Sequence, residues 1–149
     1  MARTNDALPL EEHLCFAVYA AGLAFNTAYK PLLEPLGLTY PQYLVLIVLW
    51  ERDGRTLKEI GARLHLDSGT LTPLLKRLEA GGFLRRSRDA GDERQLRIEL
   101  TEKGRAVEGE AAGIRERMTC RLGRSGEAVR ALQQDLAGLT PSLRGTAPA

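Results

Sequence analysis

Residues 56–100 read TLKEIGARLHLDSGTLTPLLKRLEAGGFLRRSRDAGDERQLRIEL, and this stretch sets the architecture. Leu57, Ile60 and Leu64 fall at i, i+3, i+7, and Leu71, Leu74, Leu75 and Leu78 at i, i+3, i+4, i+7. Two short helices therefore each carry one apolar stripe. His65, Leu66, Asp67 and Ser68 between them are few enough to force a sharp turn, and Asp67, Ser68 and Thr70 are all candidate N-caps for the second helix. Gly81-Gly82 ends that helix, because glycine enters the left-handed region at little cost. Residues 83–88 and 94–100 then flank Asp89-Ala90-Gly91-Asp92-Glu93, with Leu96, Ile98 and Leu100 alternating with Gln95, Arg97 and Glu99 as in a hairpin. Helix, turn, helix and an arginine-rich hairpin compose a winged helix-turn-helix, so the fold class is mainly α with a small β-wing.

The charges point the same way. Between residues 76 and 97, Lys76, Arg77, Arg85, Arg86, Arg88, Arg94 and Arg97 are offset by only Glu79, Asp89, Asp92 and Glu93. On the second helix the leucines take one face and leave Ser68, Thr70, Thr72, Pro73, Lys76 and Arg77 on the others. Such a helix can bury its stripe and present small polar and basic groups to a DNA major groove. A basic run alone is equally the solvated face of an ordinary α+β domain. Its coincidence with the helix-turn-helix spacing and the wing directs it toward double-stranded DNA.

Composition narrows the classes further. The 149 residues suit one domain with a real core. The net charge is only +2, so nucleic-acid affinity must come from clustering. The longest apolar run, residues 43–50, is too short for a bilayer, and residues 1–13 lack the apolar core of a signal peptide. Two distant cysteines then suggest free thiols in a reducing cytoplasm, with no membrane partner. No His/Cys cluster has metal spacing, and no phosphate-binding, dinucleotide or G-x-S-x-G motif occurs. Neither a cofactor, a metal nor enzyme chemistry is expected.

Along the chain, residues 1–8 read as frayed. A helix is expected from Pro9 to Leu33, with Leu10, Leu14, Ala17, Ala21, Phe25, Ala28 and Leu32 on one stripe. Cys15, Tyr19, Gly22, Asn26 and Tyr29 form a second stripe beside it. A helix apolar on two sides is usually covered on two sides, which argues for a homodimer. Pro31, Pro35 and Gly37 interrupt the chain before a core helix that carries Trp50 and ends near Asp53-Gly54. After the wing, Thr101 is expected to cap a long helix, and Ser125 a last one beyond the break at 123–126. The expected layout is one domain over 1–149. Residues 9–33 and 101–139 serve as dimerisation helices, 40–100 as the winged helix-turn-helix, and 140–149 as a disordered tail.

This order of elements, with DERQLRIELTEKG at 92–104, resembles the MarR family of dimeric bacterial repressors. Its local signature is Asp92 and Arg94 followed by Leu100-Thr101 and Gly104. LCFAVYAA at 14–21, YKPLLEPLGLTYPQYLVLIVLWERDG at 29–54 and LTPLLKRLEAGG at 71–82 narrow the resemblance to the OhrR-type branch, which senses organic hydroperoxides.

The resemblance implies a repressor in which Cys15 is the peroxide-reactive thiol. It implies that Tyr29 and Tyr40 hydrogen-bond Cys15 across the dimer interface, with Tyr19 lining the pocket. Cys15 and Tyr29 are fourteen residues apart, about 21 Å along a helix, so they can meet only if a second subunit runs antiparallel. Two phenolic donors would stabilise the thiolate. The helix dipole adds little if Cys15 lies beyond the first turn of a helix starting at Pro9. By residue type alone, Cys15 is a small buried core thiol. Cys120 lies off the apolar stripe of its helix, near Arg117, Arg121 and Arg124. In the two-cysteine subclass it would condense with oxidised Cys15 of the other subunit, forming an intersubunit disulfide. The alternative is a bystander Cys120, with a small-molecule thiol acting on Cys15.

A disulfide that rotates the subunits would spoil the spacing of about 34 Å between two recognition helices and release the DNA. Ser68, Thr70, Thr72, Lys76 and Arg77 are expected at the major groove and Arg94 in the minor groove. Arg86 and Arg88 are assigned to phosphates, and Asp92 to holding Arg94 in pose. His65 reads as a turn residue and His13 as solvent-facing. Two other classes stay open: a MarR-type repressor that senses a small phenolic ligand in the dimer cleft, and a thiol-dependent peroxidase.

Overall fold

The structure is a computed structural model that describes residues 7–145; most of the expected frayed start and the last residues of the expected tail lie outside it. Where the sequence reads as one domain, the chain divides into two compact units, Met1–Ile114 and Arg115–Ala149.

The first unit is mainly helical with a small antiparallel sheet. Its order is α1 (Leu14–Leu33), α2 (Tyr40–Glu51), β1 (Arg55–Thr56), α3 (Leu57–Leu64), α4 (Ser68–Ala80), β2 (Leu84–Arg88), β3 (Leu96–Leu100) and the start of α5 (Glu102–Arg121). Leu46, Leu49, Ile60, Leu71, Leu75, Leu78, Leu84 and Ile98 are fully buried and join α2, α3, α4 and the sheet into one core. Val107, Ala111 and Ile114 of α5 extend that core. Two reciprocal caps fix helix starts. Thr39 and Gln42 exchange side-chain-to-backbone bonds at α2, and Thr56 and Glu59 do the same at α3.

Gly104, the last residue of the family signature, is a steric requirement. A Cβ there would lie 2.0 Å from the Phe83 carbonyl oxygen. The same glycine's carbonyl accepts from the Trp50 indole N–H at 2.9 Å. The start of α5 is thus pressed between the core helix α2 and the entry to the wing.

In the second unit, α6 (Gly126–Arg144) follows the end of α5 and is capped by Ser125, whose hydroxyl accepts from the Ala128 amide. Leu132 and Leu136 are exposed on it. Among the described residues, no single helix is long and apolar enough to cross a membrane.

Three expectations need correction. The first helix does not start at Pro9: Leu10–Glu12 closes a 3-10 turn, His13 is extended, and α1 begins at Leu14. Cys15 therefore lies inside the first turn, where amides without a side-chain cap present positive potential. The wing is three-stranded, because β1 pairs with β3 through Arg55 opposite Ile98 and Thr56 opposite Arg97. Finally, residues 140–144 are not a disordered tail. They complete α6, which Gly145 ends in the left-handed conformation (φ 69°).

Candidate nucleic-acid interface and thiol site

The turn between α3 and α4 depends on backbone that side chains would block. His65 takes a left-handed φ of 57°, and the Leu66 amide donates to the Gly61 carbonyl at 3.0 Å. A Cβ on Gly61 would meet the Leu66 carbonyl oxygen at 2.7 Å. Of the three candidate caps, Asp67 holds the position, accepting from the Thr70 amide at 2.7 Å. That bond keeps the Asp67 carboxyl below the usual range.

On α4 the buried leucines face the core, while Ser68, Thr70, Lys76 and Arg77 are exposed and Thr72 is half-buried. Gly69, Pro73 and Lys76, at i, i+4, i+7, share the outward face. Small residues at its centre let another surface approach the helix closely, with basic groups beside them.

The wing turn is stitched by its own carboxylates. Asp89 accepts from the Asp92 amide and Asp92 from the Arg94 amide, each at 3.1 Å. Asp92 thus bonds the Arg94 backbone and not its guanidinium. Arg97, outside the expected site, donates to Asp89 at 2.6 Å and also to the Gly54 carbonyl, anchoring the hairpin to the end of α2. This pairing holds the Asp89 carboxyl below its ordinary range.

Arg86 departs from the expected phosphate role. Its guanidinium reaches Glu79 at 3.0 Å, its amide donates to the same carboxylate at 2.8 Å, and Glu79 is held below the usual range as a result. Hairpin register explains this: Arg86 lies opposite Ile98 on the sheet and faces the last turn of α4. Arg88 donates only to the Glu93 carbonyl, at 3.4 Å.

The expected thiol site is split. Cys15 is exposed, so within the chain it is no buried core thiol, and Tyr19 beside it is exposed as well. Neighbouring His13 bonds the Leu8 carbonyl at 3.2 Å. At the far end of α1, Tyr29 stacks on Tyr40 with ring centroids 4.5 Å apart and meets Tyr43 at 5.6 Å. Burial, then the neighbouring Tyr43 and Tyr40, push the Tyr29 phenol up to about 12, and burial raises Tyr40 too. Both remain protonated donors at neutral pH. Cys120, at the end of α5, is exposed. Among the described residues no group of three or more His, Cys, Asp or Glu is placed to hold a metal.

The capping boxes at Thr39-x-x-Gln42 and Thr56-x-x-Glu59 were open to sequence reading by their spacing. The roles of Arg97 and Glu79 were not, since each partner is set by hairpin register.

A helix-turn-helix whose second helix is exposed on one face, followed by a wing braced to the core, is the frame of a winged-helix transcriptional regulator. The family model for the transcriptional regulators SarA/Rot matches residues 27–110. The regulator TtmR of Methylorubrum extorquens is 52% identical over 143 residues, covering 96% of this chain and 73% of its own. The organic hydroperoxide resistance transcriptional regulator of Bacillus subtilis is 44% identical over 96% of this chain and 97% of its own. A structure described as reduced AbfR bound to DNA superposes with a TM-score of 0.78 at 37% identity, covering 90% of this chain and 94% of that one. A disulfide-formed AbfR gives 0.64 at 39%, covering 88% and 92%; AbfR is from Staphylococcus epidermidis. The chain belongs to the SarA/Rot family of transcriptional regulators and is related to the organic hydroperoxide resistance regulators.

Proposed function

We propose that this chain is a homodimeric, DNA-binding repressor that senses organic hydroperoxides through Cys15. The observation that carries the reading is the divided thiol site. Cys15 stands exposed in the first turn of α1, and the protonated Tyr29–Tyr40 pair lies about 21 Å away at its other end. A second copy of α1 running antiparallel would bring each thiol to the other chain's phenols. The exposed Leu14, Val18 and Leu23 supply apolar surface for such pairing.

The chemistry follows from the residues. The Cys15 thiolate attacks the outer peroxide oxygen, the O–O bond breaks, and the alcohol leaves after taking up a proton. Sulfur, oxidised by two electrons, is then a sulfenic acid. The Cys120 thiolate of the other subunit displaces its hydroxyl, which leaves as water once protonated, and an S–S bond forms. Before oxidation, α4 presents Ser68, Thr70, Thr72, Lys76 and Arg77 to the major groove, and the wing presents Arg94 to the minor groove. Rotation of the subunits by the disulfide spoils the half-site spacing, and DNA is released. A relative described both as reduced on DNA and as disulfide-formed supports this cycle.

One observation favours the phenolic-ligand reading. A cleft of about 350 Å³ opens beside Tyr40, lined also by Asn26, Thr27, Lys30, Leu38 and Pro41. One experiment separates the two. Wild type, Cys15→Ser and Cys120→Ser are mixed with a duplex selected from a random pool by the reduced protein, then given one equivalent of cumene hydroperoxide or a phenolic acid. The thiol reading requires peroxide release and a crosslinked dimer on non-reducing gels in the wild type, both reversed by dithiothreitol. Release by the phenolic acid alone, equally in Cys15→Ser, would overturn it. Peroxide turnover far beyond one equivalent with a thiol reductant present would point to a peroxidase.

A further inference from the structure

The cations of the winged region fall into two sets, and the division points to a contact that lies outside the expected interface. Arg85, Arg86 and Arg97 are paired with Glu99, Glu79 and Asp89, and Arg52, Arg55, Arg63 and Arg105 also have carboxylate partners. Among the described residues of α3, α4 and the wing, the cations with no carboxylate within 4.0 Å are Lys58, Lys76, Arg77, Arg88 and Arg94. Four of these five already belong to the proposed DNA-contacting set. The fifth, Lys58, is new.

Lys58 is not isolated. With Arg88 and Arg94 it lines a cleft of about 250 Å³ between the first turn of α3 and the wing, which Leu57, Gln95 and Leu96 complete. No carboxylate lines this cleft. The nearest acid in sequence, Glu59, is already engaged: it accepts from the Thr56 amide at 2.8 Å and from Arg52 at 3.1 Å. The Asp92 carboxylate is likewise occupied, by the Arg94 amide. Three exposed cations without a carboxylate partner thus line one small concave site and give it a positive potential that favours an anion. Thr56 and Leu57 fix the floor, because the cap at Thr56 and the β1–β3 pairing tie the start of α3 to the base of the wing.

We propose that this cleft seats one backbone phosphate of the bound duplex, held by Lys58 from α3 together with Arg88 from the wing, while Arg94 at its rim extends into the minor groove. The inference rests on the DNA-binding reading above and adds to it a third point of attachment. α4 reads the major groove, Arg94 enters the minor groove, and Lys58 holds the strand between them. A phosphate clamp carries no sequence information itself, but it fixes register for the helix that does. Gln95 adds an amide donor to the same oxygen-rich ligand.

The test uses the full-length reduced protein and a 30-base-pair duplex of arbitrary sequence (about three helical turns), since a phosphate contact is indifferent to sequence. Affinity is measured across a salt series for wild type, Lys58→Gln, Lys58→Arg and, as a positive control, Lys76→Gln. Loss of one phosphate contact per subunit lowers the slope of log affinity against log salt by about 0.9 each, about 1.8 for a dimer. Lys58→Gln should show that loss, with affinity weaker by roughly 60-fold near 0.1 M salt for two contacts that are screened out at 1 M. Lys58→Arg should restore both. A Lys58→Gln slope equal to that of wild type, while Lys76→Gln lowers it, overturns the clamp and leaves the DNA-binding reading intact. A wild-type protein that binds no duplex at any salt overturns that reading and the clamp with it.

Discussion

The winged region and the first helix are built from the same apolar residue types, yet they use them oppositely. In α4, Leu71, Leu75 and Leu78 are wholly inaccessible, packed on α2, α3 and the sheet. In α1, Leu14 is 63% exposed and Leu23 51%, although leucine belongs in a core by every transfer scale. The first region is a finished domain whose polar groups face outward toward a ligand. The second leaves its leucines exposed, as one half of the proposed dimer interface would. The proposed thiol-switched dimer would need both: a rigid frame to hold recognition helices, and a seam at which chemistry can move them.

Substitutions at the two leucine sets should therefore behave differently, and the largest effect belongs to the core. Leu46→Ala, at a site with no exposure, is expected to cost about 2–5 kcal/mol in urea unfolding. Leu23→Ala should change the stability of the single chain by less than about 0.5 kcal/mol. Equal losses at both sites would erase the distinction. Next comes Gly104→Ala. The added Cβ collides with the Phe83 carbonyl, and repositioning α5 against Trp50 is expected to cost about 1–3 kcal/mol.

A charge on the exposed seam should act on association instead. Leu23→Asp is expected to weaken subunit association by tenfold or more (about 1.4 kcal/mol) in analytical ultracentrifugation, with the helical content of the isolated chain unchanged. Smaller still are two pH effects. Glu79, held low by Arg86, contributes stability present above the ordinary glutamate range and lost as pH falls through its folded value. Glu79→Gln should flatten that acid limb of the urea midpoint. Tyr29 has the opposite sign. Its folded phenol stays protonated up to about 12, while in the unfolded chain it ionises from its ordinary 10.0. Stability should decline as pH rises from 10 toward 12, and Tyr29→Phe should remove part of that decline.

The same contrast explains how far the sequence could be read. Periodicity placed α3 and α4 and chose their buried faces, because a stripe at i, i+3, i+4, i+7 has only one way to be covered. Alternation from Leu96 to Leu100 found β3 for the same reason. It missed β1, a pairing of only two residues that the cap at Thr56 and the Arg97 bond to Gly54 hold in place. Arg86 looked interchangeable with Arg88 and Arg97 was given no partner, since a run of arginines does not say which ones meet a carboxylate. Hairpin register decides that, and it sends Arg86 to Glu79 and Arg97 to Asp89. Pro9 suggested a helix start, but the 3-10 turn and extended His13 delay it to Leu14 and bring Cys15 into the first turn. The proposed partnership of Cys15 with the tyrosines could come from resemblance only, because within one chain Cys15 and Tyr29 stand near opposite ends of α1.

That partnership is tested most directly by finding where the oxidised sulfur goes. Dimers reassembled from isotopically light and heavy chains, treated with one equivalent of cumene hydroperoxide and digested without reduction, report the linkage by mass spectrometry. The expected product is a disulfide peptide joining Cys15 of one isotope to Cys120 of the other, appearing as duplex binding is lost. Loss of binding with both thiols unmodified, or a Cys15–Cys120 linkage confined to single-isotope peptides, would contradict the switch.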